Sequence, residues 1–446
     1  MRYSIGIPWR ALAAVILTCC MFQAQAVPSF ARQTGFDCFT CHVSWPELTP
    51  TGRLFKLNGY TLGPRLAFPV AGMVQLSYSQ TRGAGTNFAQ NFPQDREAVI
   101  QQVSLFYNGK LSDHVGIFSQ LTYDGVEHHT SIDNVDLRYA NHLDLAGHDL
   151  LYGFTLHNNP QVQDVYNTVS TWGFPFASSP AANAPAAAPL IESLGQQVAG
   201  MGAYAMWRNT VYGEVTAYRT SNHLFSPLRL GIERDTAAAL DGYNPYWRLA
   251  VQHDWEGGKH SAMVGTYGLI ADVFPDNKLL TGPTDHFRDI GIDAQYQYIT
   301  DPHTFTAQVT YIDEKQSYNA SFPVTVDTGA GIGAGPTPAN SNDKLHTFKA
   351  KATYYHDRKY GGTLAYFSTT GSADSGLYGT NADGNAIKPD SNGYIFELDY
   401  LPIQNVRLMF QYTAYSKFDG ASTNYDGNGR NARDNNTAFF NIWVAF

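Results

Sequence analysis

Asp289-Ile290-Gly291-Ile292-Asp293-Ala294-Gln295-Tyr296-Gln297-Tyr298 alternates polar with apolar residues from end to end. Successive side chains of an extended chain point to opposite faces, so a period of two predicts a strand with one wet face and one apolar face. Asn405-Val406-Arg407-Leu408-Met409-Phe410-Gln411-Tyr412 repeats the pattern. Phe348-Lys349-Ala350-Lys351-Ala352-Thr353-Tyr354 does so with two cations on the polar face, which a barrel would turn into its lumen. The chain ends on Phe440-Asn441-Ile442-Trp443-Val444-Ala445-Phe446, apolar at every second place and aromatic at the last, in the manner of a bacterial outer-membrane assembly signal.

Working outward from these stretches, strands are expected near 70–80, 97–110, 114–124, 130–140, 147–158, 199–208, 209–220, 244–257, 258–270, 286–300, 302–315, 344–358, 360–371, 392–402, 404–417 and 437–446. That is about sixteen, an even number as single-chain bacterial barrels require. The connections alternate as such a barrel demands, with short periplasmic turns and longer external loops. Short turns are expected near Ser112-Asp113, Asn141-His142, Asn209, Gly257-Gly258, Asp301-Pro302, Arg358-Lys359 and Pro402. Long loops fall near 81–96, 159–198, 221–243, 271–285, 316–343, 372–391 and 418–436. The longest, 159–198, stands where porins fold a loop into the pore; its Ala/Pro-rich tract Ser179 to Pro189 reads equally well as an exposed flexible segment. The expected fold is all-β, an antiparallel transmembrane barrel.

Composition agrees. Charged residues are only 15% of the chain and aromatics reach 14%, a balance suited to strands with a lipid-facing aromatic surface. No run approaches the ~18 apolar residues of a spanning helix. Residues 1–26 read as a cleaved signal peptide: Arg2 and Arg10 precede an apolar run from Ala11 to Phe22 and the small-residue exit Ala24-Gln25-Ala26. Without Arg2 and Arg10, 27 basic residues face 38 acidic ones, a formal charge of −11 that opposes nucleic-acid binding and attracts cations.

Residues 27–69 are different. They are punctuated by Pro and Gly, show little strand alternation, and carry Cys38-Phe39-Thr40-Cys41-His42. C-x-x-C-H is the pattern of covalent haem c attachment, with thioethers from Cys38 and Cys41 and His42 as the proximal iron ligand. A zinc site would need a second ligand pair that the chain lacks, and a disulfide or redox pair would leave the adjoining His42 without a role. A segment of this size cannot build its own core, so it must pack against something larger, and a sixteen-stranded lumen is wide enough to hold it as a plug. The expected organisation is therefore a signal peptide at 1–26, a monohaem cytochrome c segment at 27–69 and an outer-membrane barrel at 70–446.

The ligand opposite His42 is not given by the motif. Met73 is the leading candidate, because alternation with Val74, Leu76 and Tyr78 points it into the lumen near the haem segment; Met409 points inward by the same argument. Packing of Met73 in the wall, five-coordinate iron and a second histidine remain alternatives. The pair His128-His129 reads as solvated, and Asp419, Asp426 and Asp434 read as turn residues that add to a cation-attracting field.

Taken together, Pro28-Ser29-Phe30-Ala31-Arg32-Gln33-Thr34-Gly35, the C-x-x-C-H run, Pro46-Glu47-Leu48-Thr49-Pro50 and Phe55-Lys56-Leu57-Asn58-Gly59-Tyr60 resemble a known family. They are similar to the fused monohaem cytochrome-porins of the bacterial outer membrane, whose characterised members oxidise extracellular ferrous iron. The resemblance continues in patches at Asn158-Asn159-Pro160-Gln161-Val162-Gln163-Asp164 and from Asn424-Tyr425-Asp426-Gly427 to Asn435-Asn436. It implies an Fe(II)-oxidising electron-transfer oxidoreductase with one haem c, passing electrons to a periplasmic c-type cytochrome or another soluble carrier. Other extracellular donors, and a diffusion porin with a haem-bearing plug, are the competing readings.

Overall fold

The computed structural model describes residues 28–83, 95–169, 177–232, 238–276, 280–322, 337–381 and 383–446, so the expected leader at 1–26 lies outside the described residues. Sixteen antiparallel strands close into one barrel. They are β1 Val70–Thr81, β2 Ala98–Tyr107, β3 Val115–Asp124, β4 His129–Leu145, β5 His148–His157, β6 Val198–Trp207, β7 Val211–Thr220 and β8 Asn244–Trp255. There follow β9 His260–Phe274, β10 Asp285–Ile299, β11 His303–Ser317, β12 Asn342–His356, β13 Tyr360–Gly371, β14 Ser391–Ile403, β15 Val406–Lys417 and β16 Thr437–Ala445. Two-residue pieces, Gly109–Lys110 and Ala239–Leu240, extend the edges of β2 and β8. β16 closes on β1 from Thr437 opposite Thr81 to Ala445 opposite Met73.

The distribution of side chains is inside-out relative to a soluble protein. On β10, Asp289, Asp293, Gln295 and Gln297 are buried in the lumen while Ile292 faces outward at 58% exposure. Val215 at 63% and Val264 at 68% repeat this on other strands, while Arg138, Arg248 and Arg407 are buried inside. An apolar outer belt around a closed barrel satisfies lipid, because closure leaves no unpaired backbone edge. The fold is a porin-like outer-membrane barrel. Among the described residues no helix is long and apolar enough to cross a membrane.

Tight turns gather at one end. Successive positive-φ residues at Arg208-Asn209, Asp357-Arg358 and Ala146-Gly147 have the backbone of hairpin turns whose twist matches the strands. The last of these corrects the expected turn near Asn141-His142. Those two residues pair with Tyr152 and Leu151 inside the ladder, and β4 runs on to Leu145 before Gly147 supplies the left-handed φ of 75°.

The N-terminal segment packs against the lumen wall through residues up to Tyr60, whereas Leu62 and Phe68 beyond it are exposed at 49% and 73%. Helix α1, Pro28–Thr34, leads to a single turn α2, Cys38–Cys41, then a short ladder pairing His42–Ser44 with Glu47–Leu48, then α3, Pro50–Leu57. Thr49 caps α3 by accepting from the Gly52 N–H, Pro50 occupies its first turn, and Gly59 at φ 66° follows its end. A Cβ on Gly52 would stand 2.2 Å from the Cys41 carbonyl oxygen, so only glycine lets α3 approach the cysteine turn.

Lumen side chains hold this segment in place. Arg53 on α3 donates to Gln295 at 2.9 Å, Gln297 at 2.7 Å and Ser261 at 2.8 Å. Lys351 pairs with Glu47 at 3.0 Å, Arg407 donates to the Trp45 carbonyl at 3.2 Å, and Tyr355 donates to Ser44 at 3.0 Å. From the other side Tyr60 donates to Asp136 at 2.6 Å, and Tyr204 to the Leu57 carbonyl at 2.7 Å.

The connection after β5 also folds inward, as expected. Helix α4, Pro160–Gln163, opens it. The Asp164 carboxylate then accepts from the Tyr166, Thr168 and Val169 N–H groups, and Arg248 bonds Asp293, which also receives the Thr168 hydroxyl. Helix α5, Leu190–Ser193, docks by its N–H groups on Glu314 and Asp289, and Glu192 pairs with Lys349 at 2.9 Å. Both cations of the 348–354 stretch thus face the lumen, one held by the inward loop and one by the N-terminal segment. Within the tract 179–189, Ser179 donates to Ser79 at 2.6 Å and the Ala186 N–H to Asp419 at 2.9 Å, so it is tied to the wall at both places.

Candidate functional site

Between the N-terminal segment and the wall formed by β16, β1, β2, β3 and β4 lies a cavity of about 360 Å³. Cys38, Cys41 and His42 form part of its wall, and so does Met73. Alternation therefore placed Met73 correctly. It is 4% exposed, sits opposite Ala445 on β16, and packs with Ala71, Phe106, Phe118 and Trp443. Gln75 directs its amide to the Met73 sulfur at 3.9 Å. Met409 also faces inward but packs against Ala177 and Phe439, away from the cavity.

The motif itself is shaped by local bonds. Asp37 caps α2, accepting from the Thr40 N–H at 2.9 Å, and the His42 N–H closes the turn onto the Cys38 carbonyl. The Cys38 N–H reaches Gln404 in the turn between β14 and β15, and Arg358 bonds Asp37 at 3.5 Å and lies over the Phe39 ring. The attachment motif is thus anchored at the end of the barrel where the tight turns gather.

The donor set fits a haem c. Both cysteines carry thiols, Cys38 buried and Cys41 half-buried. Burial, reinforced by Asp37, pushes the Cys41 thiol up to about 11, which disfavours the thiolate needed by a metal-ligating or redox-active cysteine. Burial lowers His42 to about 4, against the raising effect of the Pro46 and Glu47 backbone beside it, so the imidazole is neutral and able to ligate at neutral pH. Its Nδ1 is sealed from solvent without a hydrogen bond. The remaining wall is largely apolar, with Phe30, Phe55, Trp45, Phe106 and Trp443. Its volume lies within the roughly 300–1,000 Å³ usual for ligand pockets.

The other residues singled out by sequence take structural places. His128 lies on the short connection before β4 and His129 opens β4, where it approaches Glu127 at 3.5 Å. Asp426 accepts from the Asn428 and Arg430 N–H groups, Asp434 caps the turn at Ala432–Asn435, and Asp419 receives Ala186. Among the described residues no group of three or more His, Cys, Asp or Glu is arranged to hold a metal ion. Sequence reading missed Lys56, a buried cation in the cavity wall, and Gln75, Gln102 and Gln120, which continue the wall deeper along β1, β2 and β3. The available signal was the pair Arg53 and Lys56, three apart on an otherwise apolar helix.

No known family signature and no characterised protein matches this chain in sequence. Solved barrels resemble it in shape. The outer-membrane channel DcaP of Acinetobacter baumannii superposes with a TM-score of 0.46 at 14% identity, covering 84% of this chain and 96% of that one. The Salmonella typhi OmpF complex with daunomycin gives 0.46 at 12%, covering 84% and 97%. An anion-selective porin from Comamonas acidovorans gives 0.41 at 11%, covering 84% and 98%.

Proposed function

We propose that this chain is an outer-membrane electron-transfer cytochrome, holding one haem c through Cys38, Cys41 and His42 with Met73 as distal ligand. Its donor is an extracellular reductant, ferrous iron first among them, and its acceptor a periplasmic c-type cytochrome or another soluble carrier. The observation that carries this reading is the cavity that gathers the two cysteines, the histidine and the methionine inside the barrel. A haem c held there supplies a reversible one-electron centre.

The chain's own residues do the rest. Cys38 and Cys41 fix the group beside Gln404 and Arg358, at the tight-turn end, where a soluble carrier can approach. His42, neutral and buried, presents an imidazole lone pair. Arg53, Glu47 and Tyr60 hold the segment against the lumen wall, and Phe30, Phe55, Trp45, Phe106 and Trp443 give the cavity an apolar lining beside the cysteines. Mixing the purified, oxidised, haem-loaded protein with Fe(II) under anaerobic conditions tests the donor. The haem absorption bands should convert to the reduced form; no conversion at a pH where the protein is folded removes the iron reading.

The closed sixteen-stranded barrel also supports a diffusion porin. The packing inside argues for a narrower role, because Arg138, Arg248, Tyr212, Tyr218 and Tyr267 are wholly buried within the lumen instead of lining open water. Planar-bilayer conductance separates the two: open-porin currents favour the diffusion reading, and a nearly silent barrel favours the cytochrome.

A further inference from the structure

Among the described residues two buried cations of α3, Arg53 and Lys56, have no carboxylate within ion-pair distance; Arg53 is satisfied by Gln295, Gln297 and Ser261, and Lys56 is the one in the cavity wall. Arg138, Arg248, Lys349, Lys351 and Arg407 each have a carboxylate oxygen within ion-pair distance. Among the described residues Lys56 has none: its ammonium donates to the Val162 carbonyl and, at 3.2 Å, to the Asp164 carbonyl. Asp136, Asp164 and Glu214 act on it only at longer range, and Arg138 opposes them. A buried charge solvated by neutral dipoles alone is costly, and the cost falls when an anion joins it. An ammonium has three donors, and two are in use. Burial lowers its pKa to about 8, so it is still largely charged at neutral pH.

Lys56 is 8% exposed and forms part of the wall of the same cavity as Cys38 and His42. The cavity is also graded. Around the attachment motif its wall is Trp45, Trp443 and Met73; Gln75, Gln102 and Gln120 make it polar farther along the strands. A haem has the same asymmetry, with apolar substituents on the edge that attaches to cysteine and two carboxylates on the opposite edge.

We propose that Lys56 binds a haem propionate, fixing the group with its attachment edge toward the tight turns and its carboxylate edge toward the lumen interior. This rests on the haem reading above and extends it to a positioning residue outside the C-x-x-C-H motif. The anion that completes the Lys56 site is then part of the cofactor, and the edge facing an extracellular donor is the carboxylate edge.

The test uses the full-length, haem-loaded protein with Lys56→Met and Lys56→Arg beside wild type, read by spectroelectrochemical titration. Removing a cation next to the haem favours the oxidised form, so the midpoint potential of Lys56→Met should fall while Lys56→Arg stays near wild type. A wild-type potential in Lys56→Met, with covalent haem confirmed on a denaturing gel, overturns the assignment and leaves the haem reading intact. Absence of covalent haem from wild type overturns both. Should Lys56→Met fail to assemble, resonance Raman of wild type decides. The propionate bending bands should stay fixed between about pH 5 and about pH 7 if an ammonium holds the carboxylate, and bands that titrate there overturn the assignment.

Discussion

Two arcs of the lumen wall differ in kind. Among the described residues every buried polar side chain along β16, β1, β2 and β3 is an amide or a hydroxyl, as in Gln75, Ser77, Ser104, Gln120, Thr122 and Asn441. From β4 round to β15 the wall carries Asp136, Arg138, Arg248, Asp293, Lys351, Glu397, Asp399 and Arg407, all buried. The N-terminal segment and the inward loop make their ion pairs with the charged arc, and the cavity with the cysteines opens mainly against the uncharged one, with Asp133 of β4 at its edge. Buried ion pairs return the cost of dehydration only when geometry is good, so they suit a contact that must stay in one register. An uncharged wall is cheap to dry, and it leaves the cavity's charge to Asp37 and Lys56 of the N-terminal segment and Asp133 of β4. One arc positions; the other receives.

The comparison can be broken at several points. The largest effect is expected from Cys38→Ser with Cys41→Ser, which should abolish covalent haem on a denaturing gel while the barrel keeps its β circular dichroism, because the sixteen-stranded ladder closes without either residue. Next, Lys351→Met leaves Glu47 buried without its partner at a cost of about 3–5 kcal/mol. Denaturant midpoint should fall and bilayer conductance should rise. On the uncharged arc, Gln120→Leu should leave conductance at the wild-type level. If both variants conduct alike, the division between arcs is wrong.

A finer probe compares two inward methionines. Met73→Ala should lower the haem potential and alter the low-spin absorption spectrum, whereas Met409→Ala should cost about 2–5 kcal/mol of stability and leave the spectrum unchanged. An unchanged spectrum in Met73→Ala removes it as ligand. The smallest effect is expected from Tyr60→Phe, which deletes the bond to Asp136 for about 1–3 kcal/mol. Asp136 keeps Arg138 and Thr155, so a urea titration should show a modest shift.

Much of this was legible in the sequence because period two is a local signal. It placed β13 at 360–371 and turned Lys349, Lys351 and Met73 inward, while the expectation of an inward loop at 159–198 came from its length and its place after the fifth strand, as in porins. It misjudged the end of β4, since Asn141-His142 has turn-like composition, whereas the φ-permissive glycine that makes the turn lies six residues on from Asn141. Partners across the lumen were beyond it. Glu47 and Lys351 are 304 residues apart, and Glu47 lies in a segment without a period. Lys56 stood in the sequence only as part of the run Phe55-Lys56-Leu57-Asn58-Gly59-Tyr60 until the fold showed it buried beside two carbonyls.

The claim that electrons, not solutes, cross this barrel is tested most directly in proteoliposomes. Haem-loaded protein would be reconstituted with Fe(II) outside and an oxidised c-type cytochrome enclosed, together with a dye that reports ion leakage. The account predicts reduction of the enclosed cytochrome without leakage, and loss of that reduction in Cys38→Ser with Cys41→Ser. Leakage without reduction would contradict it.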